Sequence, residues 1–534
     1  MSQLDPVRLR IVGSLLDSIA EEMGIALERA GISPNIKERL DHSCALFDGE
    51  GELIAQAAHI PVHLGAMPMA VKAAQQHVDF ADGDVVLVND PGLGGTHLPD
   101  ITAIQAFRRH PEDPHPIAFV ANRAHHADVG GVVPGSMGLT DRLEDEGVII
   151  PPTVWIRGGV VDKEVEASIV DSMRFPEERR GDLLAQKSAL QKGIEGLRRL
   201  LERLGEEELT RGFHELQNSA ERHVQTLLHS IPDGRYMAIE QLDGDGFSEK
   251  PILIRLTIDI HGDQARFDFT GTSEACQGPM NCSTPVTHSA IQYVLRCLAP
   301  EEIPASGGTM RPIEVVIPPG SLLDPPPDRP VAGGNVETSQ RLVDLILTAL
   351  IPAIPDRIPA QSQGTMNNVV FSCEQGTHYE TLAGGCGAGP LRPGASGLQV
   401  HMTNTLNTPI ERLEQVLPIR IRRYQLRQDS GGDGQHPGGQ GIIREFEFLT
   451  DMEVSILTER RELSPAGCGG GSPGSPGRNL RLTDSGEEIL PAKWQGKFGP
   501  GEKLRMETPG GRSEEHTSEL QSHSDLVCRL LLEK

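Results

Sequence analysis

Apolar residues at helical spacing mark two helical parts of the chain. Asp5 and Pro6 open the first helix as a capping side chain followed by a proline at the first helical position, and an apolar stripe continues to Met23. From residue 177 to about 230, leucines return at helical spacing. We therefore predict an N-terminal helix and a long helical segment near 177–230.

Short apolar runs and period-two alternation mark the strands. The stretch CALFDGEGELIAQ (44–56) predicts a hairpin, and apolar runs at 84–90 and 117–125 predict buried strands. From residue 236 alternation dominates and begins with a hairpin around the turn at Gly262. We expect further strands at 313–317, 367–373, 378–382, 419–427, 442–449 and 453–459, and further helices at 286–298 and 335–351.

These elements predict the fold class. The 59 glycines and 40 prolines indicate many turns and ordered loops, which argues against a helical bundle. We predict the α+β class, as a mixed, β-rich composite fold. Its parts are an N-terminal α/β region with a candidate metal site (1–176), a helical segment (177–235) and a β-rich C-terminal region (236–511).

Residues 512–534 read differently from the rest of the chain. The stretch RSEEHTSELQS that opens this tail matches a translated frame of a common sequencing adapter. The alternative is an amphipathic helix over residues 518–532. We expect a non-native tail, with the natural chain cut off near Gly511 and no function for His516, His523 or Cys528.

Charge and composition restrict the classes of partner that we expect for this chain. A formal net charge of −26 repels phosphate backbones, so we expect no nucleic-acid partner. The sequence holds no apolar run of about 18 residues and begins without a secretory pattern, so we expect no membrane partner and a cytoplasmic location. The eight cysteines form no CxxC pair and are expected to be free thiols.

Candidate chemistry lies where two predicted strands meet loops. In NDPGLGGTHLPDITAI (89–104), His97 and Asp100 follow a glycine-rich turn, and NRAHHADVGG (122–131) adds His125, His126 and Asp128. Imidazole and carboxylate together suit Zn, Mn or Fe(II). The alternative is a solvated polar turn with two surface histidines.

Strand alternation restricts the role of the histidine pair. If residues 124–128 stay extended, His126 and Asp128 share one face and His125 points to the other. At most one of the two histidines is then a metal ligand, and the other is free as an acid, a base or a substrate contact. Asp41, or Glu38 from the same segment, offers a further carboxylate ahead of a strand.

Other motifs carry weaker signals. The sequence contains no GxxxxGK[ST] phosphate-binding loop, and Ser136 does not lie in a GxSxG motif. The stretch GGNVETSQR (333–341) is either a capped helix start or a polar patch on an active-site or subunit surface. Cys386 lies in a tight glycine turn, where nothing else in the sequence supports a nucleophile.

A set of long, unusual motifs gives the chain a family resemblance. From about residue 5 to Gly511, the sequence resembles the hydantoinase B/5-oxoprolinase family, which includes N-methylhydantoinase B-type subunits and is related to the large subunits of acetone carboxylases. The motifs that carry the resemblance are SPNIKERLDHSCALFD, HIPVHLGAMP, NDPGLGGTHLPDI, NRAHHADVGGVVPGSMG, EGVIIPP, GDLLAQ, GGNVETSQR, QGTMNN, YETLAGGCGAG and HMTNTLNTPIE.

The resemblance implies a function and a division of labour. A partner A-type subunit would bind ATP and phosphorylate the carbonyl oxygen of a cyclic amide such as a hydantoin or 5-oxoproline. This chain would hold a divalent metal and complete the ring opening. The implied ligands are His97, Asp100, one of the pair His125 and His126, and Asp41 or Glu38. We take His126 as the ligand, which leaves His125, or Asp128, for proton transfer, although the choice between the two histidines stays open.

Two alternatives stand beside this reading. The chain could be a subunit of an ATP-dependent ketone carboxylase, in which phosphorylated bicarbonate and an enolised ketone meet at the metal. It could also be a non-catalytic scaffold that only binds the A-type subunit. The absence of a stoichiometric metal would favour the scaffold.

Overall fold

The computed structural model describes residues 5–57, 60–248, 250–465 and 471–514, and it confirms the α+β class. One turn of π-helix, Gly334–Thr338, immediately precedes α9 and is called the π-turn below. The α-helices are α1 Pro6–Ala30, α2 Pro34–Lys37, α3 Met67–His77, α4 Leu143–Glu146, α5 Lys163–Val170, α6 Pro176–Leu204, α7 Glu206–His229, α8 Thr284–Leu298, α9 Ser339–Leu350 and α10 Ile410–Val416. The short 3-10 helices are Pro61–His63, Pro91–Leu93, Pro134–Ser136, Gly307–Met310 and Pro355–Arg357.

The strands of the described residues form four sheets. The first, in the order β2-β1-β5-β4-β3-β6-β7, contains β1 His42–Asp48, β2 Leu53–Ala57, β3 Val85–Val88, β4 Asp100–Phe107, β5 Ala118–His125, β6 Thr153–Arg157 and β7 Val160–Val161. The second, β11-β10-β9-β8, contains β8 Gly234–Leu242, β9 Ile252–His261, β10 Gln264–Asp268 and β11 Ile313–Val316.

The other two sheets form the C-terminal part. The third, β13-β12-β16-β19, contains β12 Asn368–Cys373, β13 Gly376–Thr381, β16 Met452–Leu457 and β19 Lys493–Phe498. The fourth, β14-β15-β20-β17-β18, contains β14 Ile419–Leu426, β15 Ile442–Phe448, β17 Arg478–Thr483, β18 Gly486–Leu490 and β20 Lys503–Glu507.

Helices cover both faces of the first sheet. Alternate residues of β5 point to opposite sides, so Val120 joins the apolar core with α1 and α6, whereas Phe119 joins the core with α3. Because both faces are covered, β1, β3 and β5 are buried along their whole length. The sequence therefore shows continuous apolar runs at these strands instead of alternation.

The register of the first sheet brings separate motifs together. Asp100, the first residue of β4, pairs with His125, the last residue of β5. On the other side of β5, His42 pairs with Ala124, and the backbone nitrogen of His125 donates to the carbonyl oxygen of Asp41 at 3.0 Å. Segments far apart in sequence thus meet at one end of the sheet.

Most predicted elements are confirmed. The hairpin at 44–56 is formed by β1 and β2, and the helical segment near 177–230 consists of α6 and α7, which are separated at Gly205 with φ +79°. The predicted helix at 335–351 is a π-turn followed by α9. No helix among the described residues is long and apolar enough to cross a bilayer. Beyond Glu514, the predicted adapter tail lies outside the described residues.

Candidate metal centre

The loop between β3 and β4 carries His97 and packs against the helix α3 at Gly94. The side-chain nitrogen of Asn89 donates to the carbonyl oxygen of Leu98 at 2.7 Å and fixes the end of the loop. Gly94 has φ +92°, and a Cβ there would lie 2.2 Å from the backbone nitrogen of Ala70 in α3. Since only glycine tolerates both features, the glycine-rich turn of the motif sets the position of His97.

His97, Asp100 and His125 converge at the end of the first sheet. One nitrogen or oxygen atom from each lies within 4.8 Å of the other two, and all three residues are buried. Nε2 of His97 lies 3.2 Å from Oδ2 of Asp100, and the rings of His97 and His125 meet edge to face with centroids 5.0 Å apart. Two imidazoles and a carboxylate can bind one divalent cation.

Several polar atoms of this triad have no hydrogen-bond partner among the residues that the structure describes. They are both ring nitrogens of His97, Nε2 of His125 and Oδ1 of Asp100. The 3.2 Å contact between His97 and Asp100 does not have hydrogen-bond geometry. A buried polar atom without a partner costs about 1–3 kcal/mol. The donor set therefore fits a metal ion, which would engage such atoms and offset this cost.

Asp100 accepts from three other side chains, one of which is that of Asn335, through its amide nitrogen at 3.5 Å. Oδ2 of Asp100 also accepts from the Thr96 hydroxyl at 2.5 Å and from Nε2 of His63 at 3.3 Å. Nδ1 of His63 in turn lies 3.0 Å from the Ser43 hydroxyl, which fixes the ring. Burial alone would raise the pKa of Asp100, but His97 and His63 hold this pKa well below its usual value. Asp100 is therefore a carboxylate, the form that binds a cation.

His125 is held between an amide and an aromatic ring. Its Nδ1 lies 3.1 Å from Nδ2 of Asn35, and its ring stacks on Tyr379 with centroids 4.7 Å apart and an interplanar angle of 14°. The guanidinium of Arg39 lies 4.5 Å from the Tyr379 ring centroid. Burial, reinforced by the neighbouring His97, lowers the pKa of His125 well below its usual value. His125 is therefore a neutral imidazole, as metal binding requires.

Asp41 faces the same cavity. Its carboxylate lies 3.6 Å from the guanidinium of Arg39, and burial raises its pKa. The cavity measures about 20 Å³, enough for one ion or water molecule. It is lined by Asp41, Ile60, Val62, His63, His97, Asp100, His125, Asn335, Val336, Met366, Tyr379, Thr381, Thr403 and Thr405.

His126 lies on the opposite side of its strand end. Its Nε2 lies 3.0 Å from Oε1 of Gln186 in α6, and Nε2 of Gln186 donates to the side chain of Asn122 and the carbonyl oxygen of Ile101, both at 2.9 Å. His126 is fully buried in these contacts. The structure therefore brings His125, and not His126, to His97.

Asp128 and Glu38 do not line the cavity. Asp128 accepts from the guanidinium of Arg174 at 3.0 Å and from the backbone nitrogen of Gly135 at 2.8 Å, which fixes the loop after β5. Glu38 is half-buried and accepts from Nε of Arg412 at 3.3 Å. Both carboxylates thus bind partners outside the triad.

Sequence reasoning missed several residues of the cavity. His63 and Tyr379 lie in stretches that carried the family resemblance, yet nothing in their local pattern marked them as site residues, whereas Asn335 belongs to GGNVETSQR, for which a polar patch on an active-site or subunit surface was one of two alternatives. The three residues come from a 3-10 helix, β13 and the π-turn, so only the folded chain places them together. The stretch GGNVETSQR does not start a side-chain-capped helix, and its Asn335 faces the cavity.

Ser136, which the sequence offered as a weak candidate nucleophile, has a structural role. The hydroxyl of Ser136 accepts from the backbone nitrogens of Val129 at 3.1 Å and Gly131 at 3.2 Å. These two bonds close the loop after β5. The structure gives Ser136 no neighbouring base in these contacts, in agreement with the missing GxSxG motif.

Relatives of this chain include cyclic amide hydrolases. The chain is 41% identical to 5-oxoprolinase 1 of Arabidopsis thaliana, over 95% of this chain and 41% of that protein. It is 38% identical to an uncharacterised protein of Methanocaldococcus jannaschii, over 95% of this chain and 90% of that protein. The chain thus spans about two fifths of the length of the plant relative and most of the archaeal one.

Solved structures and a family match complete the comparison. The fold is similar to that of an ATP-dependent caprolactamase from Pseudomonas jessenii, with a TM-score of 0.89 and 26% identity over 99% of this chain and 94% of that chain. Acetone carboxylase shares the fold alone, with a TM-score of 0.86 and 17% identity over 95% of this chain and 75% of that chain. Residues 5–512 match the family described as Hydantoinase B/oxoprolinase, and the chain therefore belongs to this family.

Proposed function

We propose that this chain is the metal-bearing B subunit of an ATP-dependent hydrolase that opens a hydantoin, 5-oxoproline or similar lactam ring. The observation that carries the proposal is the buried convergence of His97, Asp100 and His125, whose nitrogen and oxygen atoms include several without a hydrogen-bond partner in the described part of the chain. Membership of the family and the similarity to a plant 5-oxoprolinase and a bacterial caprolactamase support the substrate class.

The proposed ligands are His97, Asp100, His125 and Asp41. Asp41 completes the set because it lines the same cavity and its segment is tied to β5 through the backbone of His125. Glu38, His126 and Asp128 are left out of the site, since their side chains bind partners elsewhere. A set of imidazoles and carboxylates suits Zn, Mn or Fe(II).

Metal binding by His125 requires one tautomer. Nε2 is the nitrogen without a partner, so Nδ1 must carry the ring proton when Nε2 binds a cation. In the structure the amide nitrogen of Asn35 faces Nδ1 and its carbonyl oxygen accepts from Arg39 at 3.4 Å, so this tautomer requires a half-turn of the Asn35 amide that gives up the bond to Arg39. Asn35 thus orients His125 for the metal.

The metal ion and the residues that line the cavity have different roles in the proposed ring opening. A divalent cation held there supplies Lewis acidity, which lowers the pKa of a water molecule and offsets the negative charge of a tetrahedral intermediate. His63 lines the same cavity outside the proposed ligand set, and because its Nε2 donates to Oδ2 of Asp100 while its Nδ1 meets the Ser43 hydroxyl, we assign to it the orientation of the Asp100 carboxylate.

We assign the binding of ATP to a partner subunit. The sequence lacks a phosphate-binding loop of the GxxxxGK[ST] type, and the chain spans only 41% of the plant relative. We therefore propose an A-type ATPase subunit that phosphorylates the amide oxygen. An amide carbonyl is a poor electrophile, and phosphorylation of its oxygen creates a leaving group.

The alternatives have weaker support. A carboxylase role rests on a neighbour that shares the fold at 17% identity, whereas the cyclic amide role rests on relatives at about 40% identity. A pure scaffold has no need for buried nitrogen atoms without partners. The unpaired atoms of the triad therefore favour the catalytic reading.

The test is reconstitution with an A-type ATPase subunit. The purified pair is incubated with ATP and with 5-oxoproline, hydantoin, caprolactam, or acetone and bicarbonate. We expect ATP-dependent opening of a cyclic amide, loss of it in His97→Ala, and retention in Glu38→Gln, which changes a carboxylate outside the cavity. Lactam opening by this chain without nucleotide, or turnover of acetone and bicarbonate alone, would contradict the proposal.

A further inference from the structure

The π-turn Gly334–Thr338 lies directly behind the candidate metal centre. All five of its residues are buried, and π-turns are frequent at functional sites. Nδ2 of Asn335 lies 3.5 Å from Oδ2 of Asp100, so one side of the turn faces the cavity. Glu337, two residues further along the π-turn, is connected to His125 by hydrogen bonds and a ring contact.

Glu337 is linked to His125 through two intermediate side chains. Oε1 of Glu337 accepts from Nδ2 of Asn368 at 2.6 Å, and Oδ1 of Asn368 accepts from the hydroxyl of Tyr379 at 2.8 Å. The ring of Tyr379 stacks on His125 with an interplanar angle of 14°. The four side chains form a continuous contact path from a fully buried carboxyl group to a proposed metal ligand.

The direction of each hydrogen bond in this path is fixed. Nδ2 of Asn368 also donates to the carbonyl oxygen of Leu457 at 2.8 Å. A flipped amide would place its oxygen against two acceptors, so the amide keeps this orientation. The Tyr379 hydroxyl is therefore the donor to Asn368, and burial raises the pKa of this phenol, which stays neutral. Tyr379 therefore supports the ring of His125 by stacking and does not act as an acid.

The surroundings of Glu337 favour a neutral carboxyl group that accepts hydrogen bonds. Burial raises the pKa of Glu337 to about 8. Among the groups around it, the Thr365 hydroxyl, Lys493 and Arg461 lower this pKa and the Glu459 carboxylate raises it further. Oε2 has no hydrogen-bond partner within the described ranges, whereas Oε1 accepts from Nδ2 of Asn368 and from the backbone nitrogen of Met366 at 3.1 Å. A glutamine at this position would keep the acceptor oxygen and the volume.

We propose that Glu337 is a positioning residue for the metal centre, acting through Asn368 and Tyr379 on the ring plane of His125. This inference rests on the proposed metal site and adds a residue that does not touch the metal. The ring of a ligating histidine must keep its lone pair on the cation, and groups that orient such rings change metal affinity by about 10- to 100-fold.

The test compares metal affinity and a spectroscopic signature across matched variants. Glu337→Leu removes the acceptor, Glu337→Gln keeps it, and Tyr379→Phe removes only the hydroxyl. Asp48→Asn is the control, because Asp48 is also a buried carboxyl group with a raised pKa, at the far end of β1. Zn²⁺ affinity is measured by competition with a chelator, and the visible spectrum of the Co²⁺-loaded full chain reports ligand geometry.

We expect Glu337→Leu and Tyr379→Phe to weaken Zn²⁺ binding by about 10-fold or more and to change the Co²⁺ spectrum. Glu337→Gln and Asp48→Asn should match the wild type. Wild-type affinity and spectrum in Glu337→Leu, or equal losses in the Gln and Leu variants, would overturn the proposal. If Glu337→Leu does not fold, Tyr379→Phe decides in the same way. A wild-type chain that binds no metal would overturn the proposed function as well, so the two failures are distinct.

Discussion

Asp100 is the register partner of His125, so that the first residue of β4 lies opposite the last residue of β5. Side chains of directly paired residues project to the same face of a sheet. His126, the next residue, turns to the other face and meets Gln186 of α6. Strand alternation therefore decides which member of the histidine pair can reach a cation with Asp100.

The histidine pair offers a test within two neighbouring positions. We expect His125→Ala to reduce Zn²⁺ affinity by at least about 100-fold, because one of the ligands is lost. His126→Ala should keep the metal affinity but lower the free energy of unfolding by about 1–3 kcal/mol, because Oε1 of Gln186 loses its donor. Isothermal calorimetry and urea denaturation measure the two quantities. The reverse pattern would assign the ligand role to His126.

Asn35 should influence the metal without contacting it. Its amide lies 3.1 Å from Nδ1 of His125 and selects the tautomer. We expect Asn35→Ala to weaken Zn²⁺ binding by about 10- to 100-fold. Lys37→Ala, an exposed position on the same short helix α2, serves as the control. Equal metal affinities in the two variants would exclude an orienting role for Asn35.

The glycine-rich loop should tolerate alanine at one position and not at another. At Gly94, φ is +92° and a Cβ would lie 2.2 Å from the backbone of Ala70, so Gly94→Ala should lose about 3 kcal/mol of stability or more and weaken metal binding. At Gly92 the nearest atom to a Cβ is Oδ1 of Asp90 at 3.3 Å, so Gly92→Ala should stay near the wild type. Thermal unfolding compares them; equal melting temperatures would contradict the prediction.

Protonation of the two buried histidines should destabilise the metal-free protein. Burial lowers the pKa of both His125 and His126, so below about pH 6.5 the unfolded chain binds protons that the folded chain does not. The contribution of these two histidines to the free energy of unfolding is therefore largest above this pH and falls as the pH is lowered, while Glu337 and Glu146, with pKa values raised to about 8 and about 7, act in the opposite direction. Relative to the wild type, His126→Gln should therefore lose less stability on acidification. Urea denaturation of both proteins between pH 5 and 7.5 measures the difference, and the same pH dependence in both would contradict the prediction.

Local patterns in the sequence were sufficient for most elements and for part of the site. The apolar run before His125 placed this residue at a strand end, and the glycine turn placed His97 in the loop after a buried strand; the structure agrees with both. β4 was not predicted, although it begins at Asp100. Its register with β5 depends on pairing between residues far apart in the chain, which no local window contains.

The remaining cavity residues depend on tertiary contacts alone. Tyr379 comes from a different sheet and reaches His125 by ring stacking, and His63 reaches Asp100 from a 3-10 helix. A single tyrosine or histidine in such stretches gives no periodic or spacing signal. The choice between His125 and His126 was open for the same reason, because it depends on where β5 ends.

Metal content of the purified chain is the most direct test of the central claim, which is that one divalent cation binds at His97, Asp100 and His125. Elemental analysis is done after loading with Zn²⁺, Mn²⁺ or Fe²⁺ and removal of free metal, for the wild type, Asp100→Asn and Glu38→Gln. The account predicts one equivalent of metal in the wild type and in Glu38→Gln, and a large loss in Asp100→Asn. A wild type without bound metal, or an Asp100→Asn variant with a full equivalent, would contradict it.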